Sequence, residues 1–231
     1  MQPIPSPSHV PFRDPLRLLN GVLAGPERAV LLWIAARLPA RVTSDHLTAT
    51  ALVAMAGAGA CYGLGRWSLV GLALSPVCLA INWFGDSLDG TVARVRNRQR
   101  PRYGFYVDHV LDAFGALFLL AGLGASGYMS PAVAAAILIS YFLLNIEILL
   151  ATHCLGTFRM SFFGLGATEL RLLLGAGSLA AMVHPTAHVL GRTYLLFDVC
   201  GAAGAAGLVL TAVISAIRNT RVLHRLERLA P

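Results

Sequence analysis

The sequence has no lysine: all 18 of its basic residues are arginine. Charge of either sign is scarce, 13% of residues, about half the share of an average soluble domain. Its four cysteines, Cys61, Cys78, Cys154 and Cys200, stand singly in apolar stretches with no CxxC pair. That spacing excludes a zinc module and a disulfide framework, and leaves the thiols as small buried hydrophobes. The opening "MQPIPSPSHVPFRDPLRLLN" is proline-rich and lacks an unbroken apolar core, so it does not read as a signal peptide. What the chain has instead is hydrophobicity. Apolar residues make up 56% of its 231 positions, with mean hydropathy +0.68, which points to a membrane protein rather than a soluble domain.

Six apolar segments are expected as spans, at about 46–65, 68–94, 103–127, 131–152, 167–183 and 193–217. Most reach the roughly 20 residues that cross a hydrocarbon core. Pro131 suits a helix start, and Pro76 falls inside the second span, where it kinks the helix or is accommodated by neighbours. The arginines give the orientation. Only Arg66 and Arg192 fall on one side of these spans, against sixteen on the other, a positive-inside pattern that places both termini in the cytoplasm. The same pattern accounts for the net charge of +7 without nucleic acid.

Before the first span, "GPERAVLLWIAARLPARV" (25–42) mixes apolar residues with arginine and reads as an amphipathic helix in the interface plane. A soluble cap on the cytoplasmic face is the alternative. The expected fold is therefore all-α integral membrane: six transmembrane helices with a short N-terminal juxtamembrane amphipathic helix. Its division is a cytoplasmic segment 1–42, a six-helix membrane domain 43–217, and a basic tail 218–231 whose arginines suit anionic lipid. Runs of small residues at 56–65 and 201–207 permit close helix packing or dimerisation.

The stretch "GDSLDGTVARVRNRQRPRYGFYVDHVLDAFG" (85–115) carries four of the chain's eleven acidic residues between two apolar runs. At about 100° per residue, Asp86, Asp89, Gly90 and Ala93 share one helix face, with Arg94 at its edge. Gly104, Asp108 and Asp112 form a stripe on the next helix. Two antiparallel helices joined by a short arginine-rich loop thus aim four carboxylates at one point just inside the cytoplasmic boundary. Such a group cannot all ionise without cations. Protonation is one escape and divalent metal is the better one, with Mg²⁺ or Mn²⁺ suited to hard oxygen ligands. Paired ions of this kind serve phosphoryl transfer. Gly90 and Ala93 leave a slot beside the backbone, and Arg94 offers a guanidinium to phosphate. The plain reading, charges solvated at a helix end, explains one aspartate but not four on converging faces.

The pattern D-x2-D-G-x2-A-R-x9-G-x3-D-x3-D, spelled by Asp86, Asp89, Gly90, Ala93, Arg94, Gly104, Asp108 and Asp112, resembles the signature of the CDP-alcohol phosphatidyltransferase family. The stretch "VTSDHLTATAL" (42–52) is similar to that family's entry into its first span. The resemblance implies that Asp86, Asp89 and Asp108 ligate two Mg²⁺ or Mn²⁺ ions, completed by Asp112, which is also the general base. It implies that Gly90, Ala93 and Arg94 receive the cytidine diphosphate, with Gly104 allowing close approach of the helix that carries it. The implied reaction is attack of an alcohol hydroxyl on the phosphorus of a CDP-linked donor, with release of CMP. A homodimer among membrane lipids is the implied assembly. CDP-diacylglycerol is the favoured donor. The alternative is a choline- or ethanolamine-type phosphotransferase acting on diacylglycerol, to which "GATELR" (166–171) is similar. A cation or proton transporter would place its carboxylates near the midplane with exits to both faces, and a noncatalytic scaffold leaves the constellation unexplained.

Glu147, His153, Arg159, Glu169 and Arg171 surround the second cytoplasmic connection and are candidates for selecting the acceptor. An internal ion pair of Glu147 or Glu169 with Arg171 is the competing reading. His109 projects away from Asp108 and reads as a packing residue. Asp198 is expected to pair with Arg192 or Tyr194, and His184 and His188 to be solvated in an outer loop.

Overall fold

The structure, a computed structural model, describes residues 16–18, 24–159 and 166–227. Most of the proline-rich N-terminal stretch and the last four residues of the basic tail lie outside the described residues. In chain order the elements are β1 (Leu16–Leu18), α1 (Ala24–Arg37), α2 (Ser44–Leu64), α3 (Leu69–Val95), α4 (Pro101–Ala125) and α5 (Pro131–Leu155). There follow β2 (Thr157–Arg159), α6 (Ala167–Val183), β3 (Thr186–Val189), β4 (Arg192–Leu195) and α7 (Leu196–Leu226). Helix α2 packs on α3 and α4, α3 also on α6 and α1, and α5 bridges α4 to α7.

Local chemistry sets the helix ends. Thr43 caps α2 in a capping box with His46, whose backbone N–H donates to the Thr43 hydroxyl and whose Nδ1 accepts from the Thr43 N–H, satisfying donors that a helix start leaves open. Ser130 caps α5 ahead of Pro131, and Gly156 ends it at φ 68°, a left-handed stop that glycine adopts without strain. Pro76 lies inside α3, which runs unbroken past it. Proline has no N–H for the Leu72 carbonyl one turn back. The neighbouring Ser75 hydroxyl donates to that carbonyl at 3.0 Å, so it is accommodated by its neighbour.

Among the described residues, five helices, α2, α3, α4, α5 and α7, are long and apolar enough to cross a membrane. The 167–183 segment forms the 17-residue α6, shorter than the rest. The last helix runs on to Leu226, so the final apolar segment continues as helix into the described part of the basic tail. Between α6 and α7 the expected outer loop is an antiparallel hairpin of β3 and β4. Its two-residue turn, Leu190–Gly191, has positive φ at both positions, as a tight hairpin that follows strand twist requires. His184 and His188 are exposed there, and His188 contacts the Thr193 hydroxyl at 3.0 Å. Asp198 corrects its expected pairing: it accepts from the Ser130 backbone N–H at 2.7 Å. This tie of α7 to the start of α5 arises because the two helices pack side by side.

Close backbone approach seals the bundle. A Cβ on Gly122 would lie 1.9 Å from the Gly59 carbonyl oxygen, and one on Gly85 would lie 2.6 Å from that of Leu47. Only glycine permits α2 to meet α4 and α3 so closely. The main core surrounds Tyr62, Leu72, Leu79, Leu123 and Phe197, and the buried Tyr62 hydroxyl bonds Ser178 of α6 at 2.7 Å. A second core seats Leu31 and Ala35 of α1 on Leu47, Leu88 and Val92. Helix α1 is thus a packed part of the fold beside the end of α3 that carries the aspartates.

Candidate active site

Polar side chains within apolar helices need partners, and several of those in α2, α3 and α4 gather in one cleft. It is lined by Thr48, Ala51, Leu52 and Met55 of α2, Asn82, Asp86 and Asp89 of α3, and Asp108, Leu111, Asp112 and Gly115 of α4. All four expected aspartates therefore face the same space. Asp86, Asp108 and Asp112 each bring a carboxylate oxygen within 4.8 Å of the others, and all three are half-buried. Three hard oxygen donors at that separation fit a divalent ion such as Mg²⁺ or Mn²⁺.

Asp89 lines the cleft as well, outside the three-carboxylate group. Its Oδ2 accepts from the Thr48 hydroxyl at 2.6 Å, its Oδ1 accepts from the Gly90 N–H, and its backbone carbonyl accepts from Ser44 at 3.0 Å. The stretch 42–52 therefore has a structural task, since two hydroxyls one turn apart on α2 hold the second aspartate of the motif.

Arg171 of α6 also meets the cluster. Its Nη2 donates to Asp86 at 2.5 Å and its Nε to the Asn82 side-chain oxygen at 2.7 Å. Asn82 in turn donates to the Ala51 carbonyl at 2.9 Å. A largely buried guanidinium thus offsets one of the gathered negative charges. The suggested ion pairs of Glu147 or Glu169 with Arg171 are corrected by these partners. Glu147 accepts from Asn219 of α7 at 2.6 Å, and Glu169 turns back to the α6 start, accepting from the Gly166 N–H at 2.9 Å. His153 is exposed in the last turn of α5. The Arg159 side chain lies outside what is described; its backbone forms part of β2, which pairs in parallel with β1.

The remaining motif residues lie along the C-terminal end of α3 and the N-terminal end of α4. A Cβ on Gly90 would meet the Arg94 guanidinium at 3.4 Å, and Arg94 donates to the Thr91 hydroxyl at 3.1 Å. Nothing lies within 4 Å of a Cβ built on Gly104. Among the described residues, that glycine borders open space. Arg100 pairs with Asp45, and Arg96 donates to the carbonyls of Val42, Leu38 and Pro39. Part of the basic loop is therefore engaged in holding α1 and α2. His109 packs against Phe105 with its Nδ1 on the Phe105 carbonyl at 2.8 Å.

Several residues around the cleft escape a reading by motif. Asn82 sits one turn before Asp86 on the same face, a periodicity that marks it in hindsight. Tyr141 of α5 lies near Asp112, Asp86 and Asp108, with Asn145 one turn on. Its only sequence signal is that i, i+4 spacing.

No curated protein matches the sequence. A family model described as CDP-alcohol phosphatidyltransferase matches residues 38–213, a range that runs from just before α2 into α7 and contains every position of the aspartate motif. The chain belongs to the CDP-alcohol phosphatidyltransferase family, membrane transferases of phospholipid biosynthesis.

Proposed function

We propose that the protein transfers a phosphatidyl group from CDP-diacylglycerol to the hydroxyl of a small polar alcohol, releasing CMP. The observation that carries this reading is the convergence of Asp86, Asp108 and Asp112 within 4.8 Å in a chain of this family. Asp86, Asp89, Asp108 and Asp112 would hold two Mg²⁺ or Mn²⁺ ions. When bound, such ions neutralise the donor diphosphate and the charge that develops on the departing CMP. Gly90, Ala93 and Arg94 receive the cytidine diphosphate along the open edge of α3, and the space beside Gly104 admits it. Asp112 accepts the proton of the acceptor hydroxyl. A bond forms from the acceptor oxygen to the phosphorus bearing the diacylglycerol, and the bond from that phosphorus to the CMP oxygen breaks. Arg171, with Glu147, His153, Arg159 and Glu169 nearby in the chain, belongs to the acceptor side, and its guanidinium suits a phosphorylated alcohol.

In this reading α6, about 26 Å long at 1.5 Å per residue, is a sixth and shorter span. The membrane domain covers 43–217, α1 lies on the cytoplasmic surface beside the site, and both termini are cytoplasmic. The protein works as a homodimer in the bilayer.

The test is CMP release by the purified protein with Mg²⁺ or Mn²⁺. One reaction holds CDP-diacylglycerol and a pool of polar alcohols, and the other holds CDP-choline or CDP-ethanolamine and diacylglycerol. Metal-dependent CMP in the first is the expected outcome. CMP in the second alone would reverse the donor assignment and make "GATELR" the informative stretch. CMP in neither would count against the transferase reading.

A further inference from the structure

Glu27 of α1 has no part in the chemistry above, yet one of its oxygens gathers three donors. Its Oε1 accepts from Trp83 Nε1 at 2.7 Å, from the Thr168 hydroxyl at 2.9 Å and from the Ser87 hydroxyl at 3.2 Å. Trp83 and Ser87 are one turn apart on α3 and bracket Asp86. Thr168 is in the first turn of α6, three residues before Arg171, which bonds Asp86 and Asn82. The contacts close a ring: Glu27 to Thr168, along one turn of α6 to Arg171, across to Asp86, and back through Ser87 to Glu27.

The rest of the α1 seat does not hold α6 in this way. Leu31 and Ala35 press on Leu88 and Val92, contacts that are apolar and non-directional. At the other end Arg96 fixes the chain after α1 through the carbonyls of Leu38, Pro39 and Val42. Hydrogen bonds, unlike such contacts, carry direction, and three of them meet on this one oxygen. Glu27 therefore sets how the start of α6 lies against α3.

We infer that Glu27 is a positioning residue for the transfer reaction, acting through Thr168 on α6 to place Arg171 against the aspartate cleft. The inference rests on the reading of Arg171 as an acceptor-side group. Helix α1 is then part of the active-site scaffold. On the donor side Asp89 is held separately, by Ser44 and Thr48 of α2, so loosening Glu27 leaves that carboxylate in place and acts chiefly through Arg171 on the acceptor.

The test compares wild type with Glu27→Ala, Glu27→Gln, Thr168→Val and the Glu27→Ala/Thr168→Val double variant, using the substrate pair on which wild type releases CMP. A small misplacement at a reacting site is enough to raise the acceptor KM about tenfold in Glu27→Ala and Thr168→Val, with the donor KM within about twofold. Glu27→Gln keeps an acceptor oxygen in place and stays near wild type. The double variant is no worse than Glu27→Ala alone, because both changes cut one link. Hydrogen exchange in peptides covering 166–174 rises in the Ala and Val variants. A wild-type acceptor KM in Thr168→Val, additive effects in the double variant, or equal losses on donor and acceptor would each overturn the inference. If Glu27→Ala fails to fold, Thr168→Val, which only exchanges a hydroxyl for a methyl, carries the test. A silent wild type would count against the transferase reading instead, and the exchange data would still decide whether Glu27 holds α6.

Discussion

Asp112 and Asp86 lie in one cluster yet are assigned different work, and single-atom changes separate them. Asp112→Asn removes the proton acceptor while keeping shape, so turnover should fall by about 10²–10⁴-fold with CDP-lipid binding retained. Asp86→Asn should instead weaken Mn²⁺ and CDP-lipid binding together, read by titrating each ligand. Near-normal turnover by Asp112→Asn would remove it from the role of base. Thr48 makes a subtler case. Its hydroxyl holds Asp89 at 2.6 Å, and groups that orient a ligating carboxylate matter about 10–100-fold for metal affinity. Thr48→Val should raise the Mn²⁺ concentration for half-maximal CMP release by about that factor, and an unchanged value would show that Asp89 needs no orienting partner. The sequence marks the four aspartates plainly, because helical periodicity is local. It does not mark Thr48 as the partner of Asp89, since that contact joins residues 41 positions apart.

Among the elements, small residues occur in several helices, but only some of them lie where backbones meet. A Cβ on Gly122 would be 1.9 Å from the Gly59 carbonyl, whereas one on Gly204 meets nothing within 4 Å. Gly122→Ala should therefore force α4 away from α2 and cost about 1–3 kcal/mol, seen as a lower midpoint of thermal unfolding in detergent. Gly204→Ala should leave that midpoint unchanged. A tolerated Gly122→Ala would mean that α2 and α4 slide apart without loss. The sequence shows Gly and Ala together at both places, and only packing distinguishes them. The β3–β4 hairpin was similarly hidden, because its turn opens with Leu190, a residue that rarely signals positive φ.

For the whole molecule, the arginine distribution predicts that the loop between α3 and α4 faces the cytoplasm and the β3–β4 hairpin faces the other side. With the four native cysteines replaced, Asn97→Cys should react with a membrane-impermeant thiol reagent only from the cytoplasmic side. Thr193→Cys should react only from the opposite side. Labelling of both from one side would remove the proposed orientation and, with it, the sixth span assigned to α6.

The sequence by itself determined the family, the long apolar helices and the eight positions of the aspartate motif. Each of these rests on composition or on spacing within one or two neighbouring helices, where 3.6 residues per turn converts position into direction. Only the tertiary structure decided which groups meet those aspartates. Arg171 reaches Asp86 from 85 residues away, and Glu27 joins Thr168 across 141 residues. Glu147 and Glu169, which the sequence offered as partners for Arg171, turn instead to α7 and to the start of their own helix. Such pairings depend on which helices pack together and on how closely glycine lets them approach, and no periodicity within a single helix records that choice.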